Sequence, residues 1–410
     1  MNGLRASRWR VLLLAGLVLG IGTAIALLPG HRGWFDVGVY HGAVNHWVRG
    51  HGQLYDYVRP GTEYGFTYPP FAAVCMLPMA LLGWYPTIAV NLAVTVAATA
   101  FVLYVLIDPI ARREGWSRWF SFALAGCLFA MLGPVRDTVS FGQINLVLMA
   151  LVYLDLWLLE RRHWLAGVGS GVAAAIKLTP AIFIGYLLVT RQWRAAAVAS
   201  GTAAAATALT AVLAPGASRT YFTDALWDTG RVGVLDYVSN QSLLGMVARL
   251  NPAHPDRLLW VALVGVVAAV WVRRARRVAW LGDHRAGFAL TGVAACLISP
   301  ITWVHHLVWL APALVVLADA APPLDSGDPQ ARRRLWASIG AYVLLASSLV
   351  WLWSGDDRGV VPYVGGNSYV LLALGMLLFL PVGDGRPAHQ DDTVDEPVTS
   401  RGEIKSGESL

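Results

Sequence analysis

Apolar runs of close to twenty residues recur along this chain, most clearly at residues 11–28, 86–107, 195–214 and 258–272. A helix rises 1.5 Å per residue, so about 20 such residues cross a hydrocarbon core of about 30 Å. Inside lipid no water satisfies the backbone, which leaves helices and closed barrels as the only spanning structures. Only 14% of the 410 residues are charged and 56% are hydrophobic, with a mean hydropathy of +0.54. Soluble domains carry about a quarter charged residues. The expectation is therefore an all-α polytopic membrane protein. The first run follows Arg5, Arg8 and Arg10. It is long for a signal peptide, and no small-residue cleavage site precedes Gly30-His31-Arg32, so it is read as an uncleaved span.

Arginines in short loops set topology. The blocks "ARREGWSR", Glu160-Arg161-Arg162, "RRARR" and Arg332 to Arg334 are placed in the cytoplasm, with both termini on the same side. This threading gives about twelve crossings. Two segments resist it. A full span through "YPPFAAVCMLPMALLG" would carry Arg112, Arg113 and Arg118 outside, so residues 68–83 are read as interfacial or re-entrant. Residues 164–190 have arginines at both ends, and 27 residues are short for two crossings. The break at "AAAIKLTP" predicts two half-length helices with Lys177 at their tip, and Pro180 near the start of the second, where its missing N–H costs little.

The net charge of +6 is uneven, because residues 383–410 hold seven acidic and three basic residues and stand at −4. With little to bury, this tail is predicted to be disordered and cytoplasmic, leaving 1–382 as the membrane domain. The basic remainder is explained by topology and does not require nucleic acid. Cys75, Cys127 and Cys296 lie in apolar sequence without CxxC spacing and are read as packing residues.

Threading also sorts the chemistry. Cytoplasmic loops hold little beyond arginines, whereas the far-side loops collect histidines, tyrosines, amides and carboxylates, among them Asp356 and Asp357. One-sided polarity suits an enzyme at the extracytoplasmic surface of the plasma membrane, since a transporter or flippase needs binding groups near the midplane. Asp36, beside Trp34, Phe35 and Tyr40, would be partly desolvated and so a stronger base than in water; a helix cap explains it equally well. Lys177 in apolar sequence is costly unless an anion meets it, and a lipid phosphate would serve; snorkelling is the alternative. His305 and His306 could orient a base, protonate a leaving group or ligate a metal, but no HExxH or second ligand set accompanies them. Gln143, Asn145, Asn240 and Gln241 stand at the starts of apolar runs, where amides cap helices or bind hydroxyl-rich ligands. Eighteen tryptophans fit interfacial belts, with sugar stacking a further use.

In order from about residue 34 to 312, "FDVGVYHGA", "GQLYDY", "FTYPPFAAVCMLPMALL", "SFGQINLVLMALVYLDLWLLERRHWLAGVGSGVAAAIKLTPAIFIGYLLVTRQWRAA", "NQSLLG" and "SPITWVHHLVWLAPAL" together resemble glycosyltransferase family 87. The resemblance implies a GT-C-type fold and an inverting α-(1→2)-mannosyltransferase that takes mannose from polyprenyl phosphomannose, as in actinobacteria. The implied acceptor is a phosphatidylinositol mannoside, with branching of lipomannan or lipoarabinomannan as the alternative. The family's essential aspartate falls on Asp36, which would act as general base. Lys177 and Arg136 are assigned to the donor phosphate, His305 or His306 to the leaving group, and Tyr40, Tyr55 and the four amides to sugar or acceptor. No DxD motif stands in the first far-side loop, so no metal or other cofactor is expected.

Overall fold

The computed structural model describes residues 2–27, 31–321, 329–355 and 359–383. Residues 384–410, nearly all of the acidic tail, lie outside this description, as do Asp356, Asp357 and Arg358. The described chain is helical, with one isolated bridge between Val58 and Gly65 as its only β pairing. In order come α1 (Asn2–Leu27), α2 (Phe35–Val48), α3 (Pro70–Cys75), α4 (Trp84–Arg113), α5 (Arg118–Met131) and α6 (Gly133–Phe141). Next are α7 (Asn145–Glu160), α8 (Val168–Ile176), α9 (Ala181–Val189), α10 (Trp193–Leu213), α11 (Pro215–Thr220) and α12 (Leu243–Ala248). The chain continues through α13 (Arg257–Trp280), α14 (His284–Ile298), α15 (Ala311–Asp319), α16 (Pro329–Ser347), α17 (Val360–Gly366) and α18 (Ser368–Phe379).

Three described helices, α4, α10 and α13, are long and apolar enough to cross a membrane, and there are five spans if the bent pairs α5–α6 and α17–α18 each count as one. The outer faces of α4, α10 and α13 expose Val90, Val96, Val212, Leu213, Leu258 and Val261. A continuous apolar exterior is what lipid covers. α14 is the opposite case. Every residue from Ala286 to Leu297 is buried, the mark of a helix enclosed on all sides. The segment at 68–83 forms only α3 and a five-residue 3-10 turn, Leu77–Leu81. At 1.5–2 Å per residue neither piece reaches across a bilayer.

Residues 164–190 form the two half-helices expected, α8 and α9. Lys177 is the extended residue that closes α8, and Pro180 immediately precedes α9. The start of α8 is fixed from α7: Asp155 accepts the backbone N–H groups of Gly167 (2.8 Å), Gly169 (3.0 Å) and Ser170 (2.6 Å). A helix start leaves such donors without intrahelical partners. Glycine at 169 permits this approach, because a Cβ there would lie 1.9 Å from the Leu151 carbonyl oxygen.

The α5–α6 bend of 76° falls at Leu132, just before Gly133-Pro134 open α6. α6 then ends at Gly142, whose φ of +71° turns the chain away from the helix, a conformation costly for residues with a Cβ. A Cβ at Gly142 would also meet Val37 Cγ2 at 2.2 Å. This contact seats α2 directly on the turn that leads to Gln143 and Asn145.

Candidate active site

Asp36 lies in the first turn of α2. It is not the cap: Trp34 occupies that position in a left-handed conformation, with no side-chain cap bond. The carboxylate oxygen Oδ2 is buried and has no hydrogen-bond partner. Desolvation raises the Asp36 pKa from 3.8 to about 7, against the lowering effects of a Gln143 hydrogen bond and the charges of Lys177 and Arg59. Arg59 stands over the Phe35 ring at 4.5 Å and donates to the Phe35 carbonyl.

Lys177 faces the same space. Its Nζ donates to Asn145 Oδ1 (3.2 Å) and the Tyr68 hydroxyl (3.4 Å), and lies 3.0 Å from His306 Nε2. These hydrogen-bond partners are uncharged, and Asp36 is the carboxylate that acts on the ammonium across the cluster. The Tyr68 hydroxyl donates to Gln143 Oε1 at 2.8 Å, and Tyr40 donates to the same oxygen at 3.1 Å. With Oε1 occupied, the amide nitrogen of Gln143 is the group left for Asp36. Five far-apart stretches thus converge: α2, the segment before α3, the α6–α7 turn, the α8–α9 break, and the turn that carries His306.

His305 and His306 differ in role. Trp303 N–H donates to His306 Nδ1 (3.1 Å), which orients that ring toward Lys177. The His305 ring packs on Phe141 and His306 with centroids 5.0 and 4.6 Å apart, and its Nε2 is buried without a partner. Its carbonyl accepts from Thr138 and Asn145.

The remaining sequence candidates stand apart from this cluster. Tyr55 backs it, donating to the Tyr68 carbonyl at 2.8 Å and packing on Tyr221. Arg136 binds the Ala346 carbonyl and Ser348 Oγ at the end of α16. Asn240 and Gln241 are fully buried and joined to the backbone. Asn240 bonds Leu235, Pro300 and Thr302, and Gln241 bonds Val238, Gly366 and Val370. Tyr68, Arg59 and Arg32 went unselected in the sequence. Tyr68 alone carried a signal, standing before Pro69-Pro70, where a proline pair fixes the approach to a short helix. Among the described residues no three His, Cys, Asp or Glu side chains gather in a metal-holding group.

A carboxylate with one buried, unpartnered oxygen and a lysine hydrogen-bonded only to neutral groups, joined through Gln143 and Tyr68, can take a proton from a hydroxyl and receive an anion in one cluster. The family model for glycosyltransferase family 87 matches residues 66–300. The polyprenol-phosphate-mannose-dependent alpha-(1-2)-phosphatidylinositol mannoside mannosyltransferase of Mycobacterium tuberculosis is 33% identical over 326 residues, 74% of each chain. The Mycolicibacterium smegmatis protein of the same name is 31% identical, covering 96% of this chain and 95% of its own. The polyprenol-phosphate-mannose-dependent alpha-(1-2)-phosphatidylinositol pentamannoside mannosyltransferase of Mycolicibacterium smegmatis is 32% identical over 71% of both chains. No solved structure matches. On the family match and these identities, the chain is a member of glycosyltransferase family 87.

Proposed function

We propose that the protein is an inverting α-(1→2)-mannosyltransferase acting at the extracytoplasmic membrane surface, with polyprenyl phosphomannose as donor and a phosphatidylinositol mannoside as acceptor. The relatives' names supply the donor and acceptor classes. The observation that carries the chemistry is the pairing of Asp36, with its unpartnered oxygen, and Lys177 across one hydrogen-bonded cluster.

Asp36 takes the proton of the acceptor hydroxyl as the oxygen attacks the anomeric carbon. The bond from that carbon to the phosphate oxygen breaks, and the electron pair leaves with the polyprenyl phosphate. Attack from the opposite face converts a β-linked donor to an α-linked product. Charge grows on the phosphate as the bond breaks, so a fixed cation there stabilises the transition state more than the ground state. Lys177 supplies it, held by the Asn145 Oδ1 and Tyr68 hydroxyl acceptors. We assign the phosphate to these groups without a divalent cation.

The test is transfer from labelled polyprenyl phosphomannose into membrane glycolipid by the wild type and by Asp36→Asn. Loss of transfer in the folded variant is expected, and retained turnover refutes the base. Chelation with EDTA should leave the wild-type rate unchanged; a rate lost with EDTA and restored by a divalent ion refutes the metal-independent assignment. Mass spectrometry of the mannolipids that accumulate without the protein identifies the acceptor.

A further inference from the structure

Beside the Asp36–Lys177 cluster, and sharing only His306 with it, aromatic and ionic groups close into a ring. Trp303, whose backbone orients His306, packs edge-on against Tyr237 with centroids 6.3 Å apart. Tyr237 packs in turn on Trp351 at 6.1 Å. The Arg32 guanidinium lies over Trp351 at 4.8 Å and over Phe141 at 5.7 Å. Phe141 meets His305, and His305 meets His306, which returns the circuit to Trp303. Gly233, with φ +137°, brings the connecting loop against this ring; a Cβ there would lie 2.8 Å from Trp303.

Two features point to a ligand. His305 is 6% exposed, and its Nε2 has no partner; Arg32 Nε is likewise buried without a hydrogen bond, its nearest acid being Asp137 at 3.7 Å. A buried polar atom without a partner costs about 1–3 kcal/mol. The rim is open as well, since Tyr237 is 46% exposed and the Arg32 side chain 33%. Interfacial belts set aromatic rings among lipid-facing apolar side chains. Here the rings alternate with a guanidinium, a carboxylate and two imidazoles. That is the chemistry of a carbohydrate: apolar C–H faces lie on aromatic rings, and diols meet paired donors and acceptors.

We propose that this ring is the subsite for a mannosyl residue of the acceptor, seated on Tyr237 and Trp351 and held by Arg32, Asp137 and His305. It adjoins the cluster through His306, so a sugar held there presents its hydroxyl toward Asp36. The inference rests on the mannosyl-transfer reading and adds the place where the acceptor is recognised.

The experiment uses the full chain in nanodiscs, polyprenyl phosphomannose, and a short-chain α-mannoside acceptor. Tyr237→Ala and Arg32→Lys are expected to raise the acceptor KM about tenfold, the size of a lost stacking or polar contact, with the donor KM within about twofold. Trp227→Ala is the belt control, because Trp227 is 74% exposed on the same loop but outside the ring; it should move neither constant. An unchanged acceptor KM, an equal rise in donor KM, or the same effect from Trp227→Ala overturns the proposal. A second measurement needs no turnover and no destabilising variant. Titrating the wild type with methyl α-mannobioside should change tryptophan emission saturably, with the change reduced in Trp351→Phe, and a flat titration overturns the subsite. If the wild type transfers no mannose, the functional reading fails; if it transfers and the titration is flat, only the subsite fails.

Discussion

Burial of Asp36 has a consequence that can be measured through pH. Its pKa stands at about 7 against an ordinary 3.8, a preference for the protonated form of at most about 4 kcal/mol. A general base works only when ionised. At pH 5.5 about 3% of molecules carry the charge, whereas an ordinary aspartate is almost wholly ionised there. Between pH 8 and pH 5.5, kcat/KM should therefore fall about 30-fold along a single limb centred near 7. Stability moves the opposite way. From 3.8 to about 7 the folded protein keeps a proton that the unfolded chain releases, so the contribution of Asp36 to stability is fully present below 3.8 and is lost as pH rises through this window. The assay pairs initial rates of mannosyl transfer across this range with thermal denaturation of the wild type and Asp36→Asn. The wild-type midpoint should drop relative to the variant as pH rises, because the amide that replaces the carboxyl group has no proton to lose. A flat kcat/KM profile from pH 5.5 to 8, or midpoints that run in parallel, would refute the desolvated-base argument.

Replacing Lys177 with Met keeps the length of the side chain and removes its charge; transfer should fall about 10²–10³-fold, the scale of a lost transition-state contact, and a change under about threefold counts against the phosphate assignment. Arg59→Ala should shift the pH limb upward, since one of the two cations lowering the Asp36 pKa is gone; an unmoved limb assigns Arg59 to packing alone. Gly142→Ala forces a Cβ into a left-handed turn and against Val37, at a backbone cost of about 1–2 kcal/mol before the collision. Its denaturation midpoint and its turnover should both fall, whereas Gly340→Ala, which meets nothing within 4 Å, should leave the midpoint unchanged or raised.

How far the site could be read from the sequence depends on which force places each residue. Lys177 was legible because a charge in apolar sequence followed by Leu-Thr-Pro must break a helix and needs a partner. Asp36 was legible in position, but the sequence left the cap open as its task; the structure puts Trp34 at the cap and Asp36 inside the first turn. The amides show the limit best. Gln143 with Asn145 and Asn240 with Gln241 look alike as polar pairs before apolar runs. Yet the first pair joins Lys177 and the tyrosines, while the second is joined to the backbone around α17 and residues 300–302. That difference is made by contacts between stretches far apart in the chain, which no local pattern encodes. Tyr68 and Arg59 were hidden for the same reason. In the fold, α4, α7, α8, α9, α10 and α14 follow the apolar runs, whereas the sharp bend between α5 and α6 needed the close approach of Leu345 to Gly133 to become visible.

The short helix ending in Lys177 has its first turn balanced from a neighbouring helix. A helix in a medium of low dielectric carries a partial positive charge at its beginning and a partial negative charge at its end. Asp155 answers the first, while Lys177 caps the second by backbone and turns its ammonium to Asn145 and Tyr68. The charge at its beginning is thus balanced before any lipid-linked sugar docks, and the ammonium at its far end is left for the carrier's phosphate. The scaffold can stay still through each catalytic cycle, leaving the substrates as the parts that travel.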